Sequence, residues 1–287
     1  MIKKTEGRDS KGVRETVREE YGRIARQGGT CCGPSACCDG PSADAVAATA
    51  GYSDGELAGL PVGANMGLSC GNPTAIASLK PGETVLDLGA GGGFDVFIAA
   101  RKVGAAGRAI GVDMTQDMLD KARHNAENFS RSTGLANVEF RLGEIEHLPI
   151  ADASIDIVIS NCVINLSTDK PRVWQEIARV LKPGGRVAVS DIALLKPLPD
   201  AVKASVAALV ACVAGAVTLD ETKEMALAVG LVELVFETKS AYIDQMAEWS
   251  DPLYREIADK LPLTAKPSDY VTSLNITARK PNTVKGV

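Results

Sequence analysis

Seven cysteines and only two histidines make sulfur the main reactive resource of this 287-residue chain. Four of the seven crowd into TCCGPSACCDG, as the pairs Cys31-Cys32 and Cys37-Cys38. The other three stand apart: Cys70 in LSCGNP, Cys162 in SNCVIN and Cys212 in ACVAGA. A single free cysteine is most often a small buried hydrophobe. Three thiols gathered at one cleft would be a different thing, a soft donor set for a thiophilic substrate or metal. Oxygen, nitrogen and carbon nucleophiles need a base, and here the candidates are poor. His124 falls on a long polar helix and His147 in a turn, and both are expected to face solvent. The N-terminal cluster has three readings: a thiol relay, a passive metalloid-scavenging loop, or a zinc site. For zinc, adjacent pairs depart from the usual C-x₂₋₄-C ligand spacing.

Such groups need a scaffold, and composition bounds it. The chain is 45% hydrophobic and 23% charged, as ordinary soluble proteins are, and its formal net charge of −5 sets up no field for phosphate backbones. No nucleic-acid partner is expected. The start, MIKKTEGRDSKGVRE, lacks the apolar stretch of an export signal. The longest weakly polar run, Val206 to Val217, has 12 residues where a spanning helix needs about 20, so it reads as a buried helix. A cytoplasmic protein without a membrane partner, monomeric by default, is the expectation, and in that compartment thiols stay reduced unless they are redox-active.

Along the chain, residues 1–60 read as a helical extension bearing the cysteine cluster, with helices at KGVRETVREEYGRIARQ and DAVAATAGY. Residues 61–195 alternate strand and helix. The strands are TVLDLG, RAIGVD, NVEFRLG, SIDIVISN and RVAVSDIA, with helices at FDVFIAARKV, TQDMLDKARHNAENFSRSTG and KPRVWQEIARVLKPGG between them. Residues 196–287 hold a helical insertion, Pro197 to Gly230, and two late strands, LVELVFETKS and YVTSLNITARK. The alternation predicts an α/β fold with a parallel sheet and right-handed crossovers.

The strand VLDLG opens into Asp87-Leu88-Gly89-Ala90-Gly91-Gly92-Gly93 before a helix, where small residues let a ligand approach the carboxyl edge of the sheet. The dinucleotide fingerprint G-x-G-x-x-G fails, because its third glycine would fall on Phe94. An acid, Asp87, precedes the glycines instead, and the next strand ends in Asp113, placed to accept both hydroxyls of a ribose. A nicotinamide site is the rival reading of any such turn. The combination resembles the class I S-adenosylmethionine methyltransferases, and GEIEHLPIADASIDIVISN extends the match through their adenine-binding turn. The resemblance implies a Rossmann-like sheet of seven strands, mostly parallel with the last antiparallel, and helices on both faces. It also implies roles: Glu144 at the adenine amino group, the Ile145 amide at the ring, Met114 on the adenine face and Asn161 at the methionine end.

By topology Cys70 and Cys162 flank the cofactor end of that sheet, and Cys212 could roof it. Trivalent arsenic held by three thiolates keeps a lone pair opposite its ligands, which can attack a sulfonium methyl with no proton to remove. The runs GLPVGANMGLSCGNPTAIASLKPGETVLDLGAGGGFDVFIAA, ISNCVINLSTDK and CVAGAVTLDE resemble the arsenite S-adenosylmethionine methyltransferases, a likeness spanning Tyr21 to about Ala278. It implies arsenite or its thiol adducts as substrate, with Cys162 and Cys212 as principal arsenic ligands and Cys70 completing the set. Tyr21-Gly22 and Cys31-Cys32 match the family's N-terminal YG and cysteine pair. An N-terminal cysteine would then relay arsenic or form a disulfide with Cys70, and thioredoxin or glutathione would restore the thiols. Methylation of a quinone, sterol or other small organic molecule on the same scaffold is one alternative, and a non-catalytic metalloid- or zinc-binding protein is another.

Overall fold

The computed structural model describes residues 10–27, 42–248, 257–262 and 264–282; the cluster Cys31, Cys32, Cys37 and Cys38 lies outside them. Among the described residues, four helices precede the sheet: α1 (Ser10–Gln27), α2 (Ala43–Ala50), α3 (Asp54–Leu57) and α4 (Pro73–Ile76). Then β1 (Thr84–Leu88), α5 (Phe94–Val103), β2 (Arg108–Asp113), α6 (Gln116–Thr133), β3 (Val138–Leu142), β4 (Ile155–Asn161), α7 (Lys170–Val180) and β5 (Leu181–Leu194) follow. The remainder is α8 (Asp200–Lys203), α9 (Val206–Val210), β6 (Val217–Thr218), α10 (Leu219–Ala228), β7 (Val232–Lys239), α11 (Ser240–Glu248) and β8 (Val271–Arg279).

Local chemistry sets the helix starts. Asp169 accepts the Arg172 N–H at 3.2 Å with Pro171 in the first turn of α7, and Thr218 and Glu221 form a reciprocal capping box on α10. The sheet runs β3-β2-β1-β4-β5-β8-β7, and the two-residue β6 pairs with β5. β1 to β5 are parallel, whereas β8 is antiparallel to both β5 and β7. Seven strands make the main path, as expected, and the eighth is a short addition. The register pairs Asp87 with Gly111 and Asn161 with Ser190, so Asp87, Asp113, Asn161 and Asp191 all come to the carboxyl edge of the parallel strands.

Beneath that edge lies a densely packed core. Trp174, Phe97 and Phe129 are fully buried, and the Phe97 ring meets those of Phe129 at 4.9 Å and Phe140 at 5.8 Å. Above it, α1 packs on α6 and α9. Val13 and Val17 of α1 share one apolar cluster with Cys70, Cys162 and Cys212. Ion pairs from Arg14 to Glu146 at 3.4 Å, Arg18 to Glu144 at 3.3 Å and Arg26 to Asp117 tie it to the turn after β3 and to α6.

Two elements depart from expectation: the helix expected over KPRVWQEIARVLKPGG ends at Val180, and its LKPGG tail, where proline and glycines break a helix, opens β5 instead. VAALVACVAGAV is not a single buried helix: α9 ends at Val210, and the chain then turns through Cys212 to reach β6. Three small residues and a glycine in the second half give little side-chain packing along a helix face. Docking on the segment after β4 takes over. Among the described helices none is long and apolar enough to cross a membrane.

Candidate functional site

The turn from β1 to α5 is shaped by close approach. Gly89 adopts φ 67°, and a Cβ there would stand 2.4 Å from Cγ2 of Val163, so no side chain fits. Gly91 turns its N–H to Oδ2 of Asp113 at 2.9 Å, while the Thr115 N–H reaches Oδ1 at 2.8 Å. The second-strand acid is thus locked to the glycine turn by backbone donors. Asp87, Asp95 and Asp113 are all buried around one cleft. Burial raises all three carboxyls; Asp87 is pushed well up, with Asp95 and Asp113 adding to the effect, and Asp95 is raised to about 6. Tyr52 donates to Oδ1 of Asp95 at 2.6 Å, and Nδ2 of Asn161 reaches Oδ2 of Asp95 at 3.1 Å, the Gly71 carbonyl at 3.0 Å and the Tyr52 hydroxyl at 2.9 Å. The cleft, about 1050 Å³ including its open mouth, suits a nucleoside-sized ligand. A glycine cradle beside three desolvated carboxylates fits S-adenosylmethionine, which carries a ribose diol, an ammonium and a sulfonium.

The three cysteines come to the same end of the sheet. Cys70 and Cys162, 92 residues apart, are joined as a disulfide with their Cα atoms 5.7 Å apart. Cys212 is a free buried thiol whose Sγ donates to the Cys162 carbonyl at 2.6 Å. The Cys162 and Cys212 sulfurs and a carboxylate oxygen of Asp191 lie within 4.8 Å of one another. Both of these cysteines hold left-handed backbones, φ 55° and 60°, conformations an L-residue keeps only where its surroundings impose them.

Each thiol has its own fixings. Asn161 accepts the Cys70 N–H on Oδ1 at 3.0 Å, and Ser273 donates to the Cys70 carbonyl at 2.7 Å. Cys162 leaves β4 with its N–H on the Ser190 carbonyl at 2.8 Å. The Cys212 turn docks through Gly215, where a Cβ would lie 2.1 Å from the Asn165 carbonyl oxygen. Asn165 in turn donates to Oδ1 of Asp191 at 2.8 Å and the Ile192 carbonyl at 2.6 Å. Burial raises Asp191 to about 6 and pushes the Cys212 thiol well up, the nearby Asp191 charge adding to it.

This geometry can be set beside known proteins. The family model described as "Methyltransferase domain" matches residues 79–248. An arsenite methyltransferase of Halobacterium salinarum is 44% identical over 283 residues, covering 96% of this chain and 68% of that protein. The chain belongs to the arsenite methyltransferase family. A second member, from Aquipseudomonas alcaligenes, is 36% identical over 218 residues, 75% of this chain and 60% of that protein. The crystal structure of CrArsM, an arsenic(III) S-adenosylmethionine methyltransferase from Chlamydomonas reinhardtii, superposes with a TM-score of 0.57 at 34% identity over 86% of this chain and 75% of that one.

Within this family member, Asp87, Gly89, Gly91, Asp113, Met114, Ile145, Asn161 and Cys162 all line one cleft. Glu144 does not: its carboxylate faces Arg18 at 3.3 Å and Arg14 at 3.7 Å, and its neighbour Glu146 lines the cleft instead. Cys70 is bonded to Cys162, not to an N-terminal cysteine. His124 and His147 are both exposed. Asp95, Tyr52, Asp191 and Asn165 escape the sequence reading, and Tyr21 enters it only as part of the YG pair. Asp191 had a signal, since an acid near the end of a parallel strand is what singles out Asp113. Asp95, an acid in the first turn of an otherwise apolar helix, had one as well. Tyr52 had none, and nothing local marks what Tyr21 touches, because their partners are 43 and 189 residues away.

Proposed function

We propose that this protein methylates trivalent arsenic held by the thiolates of Cys162 and Cys212, with Cys70 completing the set, as a detoxification step. The observation that carries the reading is convergence: three thiols from distant segments meet beside a methyl-donor cleft, two of them on strained backbones. Binding needs no base, because each thiol that displaces a hydroxide from arsenite sends its proton away in a molecule of water. Bound S-adenosylmethionine supplies an electrophilic methyl on a sulfonium, which the arsenic lone pair can take directly.

The chain's own part is holding, orienting and drying. Asp113 accepts the ribose hydroxyls, Met114 and the Ile145 amide hold the adenine, and Asn161 with Asp95 meets the methionine end. Asp87 and the turn through Gly89 and Gly91 frame the sulfonium side. Positioning of reactants alone can lower a barrier by about 7–11 kcal/mol, and α1 keeps water from the reacting atoms.

Methylation leaves arsenic pentavalent, so two electrons must return it to the trivalent state. Two thiolates that leave as a disulfide supply them. A bonded Cys70–Cys162 pair cannot ligate arsenic until it is reduced, so turnover needs an external thiol, thioredoxin or glutathione, with Cys31 or Cys32 as relay. The protein works in the cytoplasm as a monomer, on arsenite or its thiol adducts, without nucleic acid or membrane.

The test is incubation with arsenite, S-adenosylmethionine and a thiol reductant, followed by arsenic speciation. Methylated arsenic from the wild type, lost in Cys162→Ser, is the expected result. No methylated arsenic in a sample with demonstrated cofactor binding would turn the reading toward an organic acceptor.

A further inference from the structure

Tyr21 belongs to α1, yet its hydroxyl donates to the Val210 carbonyl at 3.0 Å, 189 residues along the chain. It lines the cofactor cleft, and its ring packs against the apolar cluster that contains Cys212. Val210 closes α9 two residues before Cys212, so one side chain holds the end of the helix that the sulfur follows. No step of the proposed reaction uses this residue.

Its placement is imposed by the helix that carries it. A Cβ on the adjacent Gly22 would stand 2.8 Å from Oδ2 of Asp117, so α1 presses directly on the start of α6. Lys121 donates to the Ala25 carbonyl at 3.4 Å one turn further on. Glu146 and Glu144 anchor the other end of α1 through Arg14 and Arg18.

The phenol has one proton, and the Val210 carbonyl takes it. While Cys212 keeps its own proton, it donates it to the Cys162 carbonyl at 2.6 Å. Once Cys212 ligates arsenic, that proton has gone and the sulfur can only accept. Its place in the site then depends on the turn that Tyr21 holds through the Val210 carbonyl.

We infer that Tyr21 is a positioning residue for the arsenic site, its hydroxyl holding the Val210–Cys212 turn, and through it the ligating sulfur, against the cofactor cleft. The inference rests on the thiolate reading above. It also makes α1 a shared wall, one face closing the cofactor and one residue bracing the substrate.

Tyr21→Phe removes the hydroxyl and keeps the buried ring. The expected result is an arsenite KM raised about fivefold to tenfold, the size of one neutral hydrogen bond, with the KM for S-adenosylmethionine within about twofold of wild type. Direct As(III) binding to Cys212→Ser, through the remaining thiols, should be unchanged when Tyr21→Phe is added. An arsenite KM that does not move, or two KM values that rise together, would overturn the inference, the second outcome marking Tyr21 as helix packing only. Full arsenite turnover by Cys212→Ser alone would overturn the thiolate reading itself, a result separate from either of those.

Discussion

The cofactor half of the cleft and the thiol half are built by opposite means. In the first, Asp87 to Asp95 form one continuous strand-turn-helix passage, and Asp113 joins it through the Gly91 N–H. Its groups are buried carboxylates, raised by desolvation and suited to a cationic ligand. In the second, the sulfurs arrive from three segments, and no two of them are neighbours in the chain. What fixes them is long-range: Ser273 on Cys70, Ser190 on Cys162, Asn165 against Gly215. A contiguous motif survives changes elsewhere in the fold; a set assembled from distant loops depends on every docking contact. The two halves should therefore separate under mutation.

The sharpest separation should come from the ligands. Loss of partners behind a metal ligand already costs about 10–100-fold in affinity or activity, so Cys162→Ser and Cys212→Ser should each lower arsenite methylation by at least about a hundredfold. S-adenosylmethionine affinity, measured by titration calorimetry, should stay within about twofold. Next comes Gly215→Ala. With the Asn165 carbonyl 2.1 Å from the new Cβ, the Cys212 turn must lift; methylation should fall about tenfold and stability by about 1–3 kcal/mol. Unchanged As(III) binding in that variant would break the claim that docking holds the thiol half.

Asp95→Asn probes the opposite half. Its carboxyl titrates at about 6, and the ionised form attracts a cation, so wild-type affinity for S-adenosylmethionine should improve as pH rises from 5 to 7 and then level. Asparagine should weaken binding severalfold at pH 8 and flatten the profile. A profile still sloping in the variant would assign the titration elsewhere.

The smallest effect concerns stability. Asp95 and Asp191, both raised to about 6, hold protons in the folded state that an unfolded carboxyl near 3.9 has lost. Their stabilising contribution is present below about pH 4 and disappears as pH climbs through 6. Melting of the Asp191→Asn variant should therefore gain on wild type between pH 4.5 and pH 7; a constant difference would argue against the raised value.

Much of the cofactor half is legible in the sequence because its signals are short-range. A glycine run after an apolar strand and an acid ending the next strand are statements about consecutive residues, and strand order brings them together. The alternation of period-2 and helical segments likewise sets the order and type of most elements. Reading failed where local pattern and tertiary docking disagree. Val206 to Val217 has helical composition, yet it breaks at Val210 because its glycine must meet the Asn165 backbone. Glu144 has the right position in the turn, but two arginines from α1 claim its carboxylate.

By itself, then, the sequence determined which chemistry was on hand: sulfur donors, a nucleoside-sulfonium cradle, few bases, and a parallel sheet with a carboxyl edge to hold them. Which thiols share a bond, which acid stands beside Cys212, and which tyrosines reach across the cleft were decided only by tertiary structure. The reason is physical. Hydrogen bonds and sulfur contacts fall off within a few ångströms, so they depend on where distant segments finish after the core has packed, a quantity that no local window of residues contains.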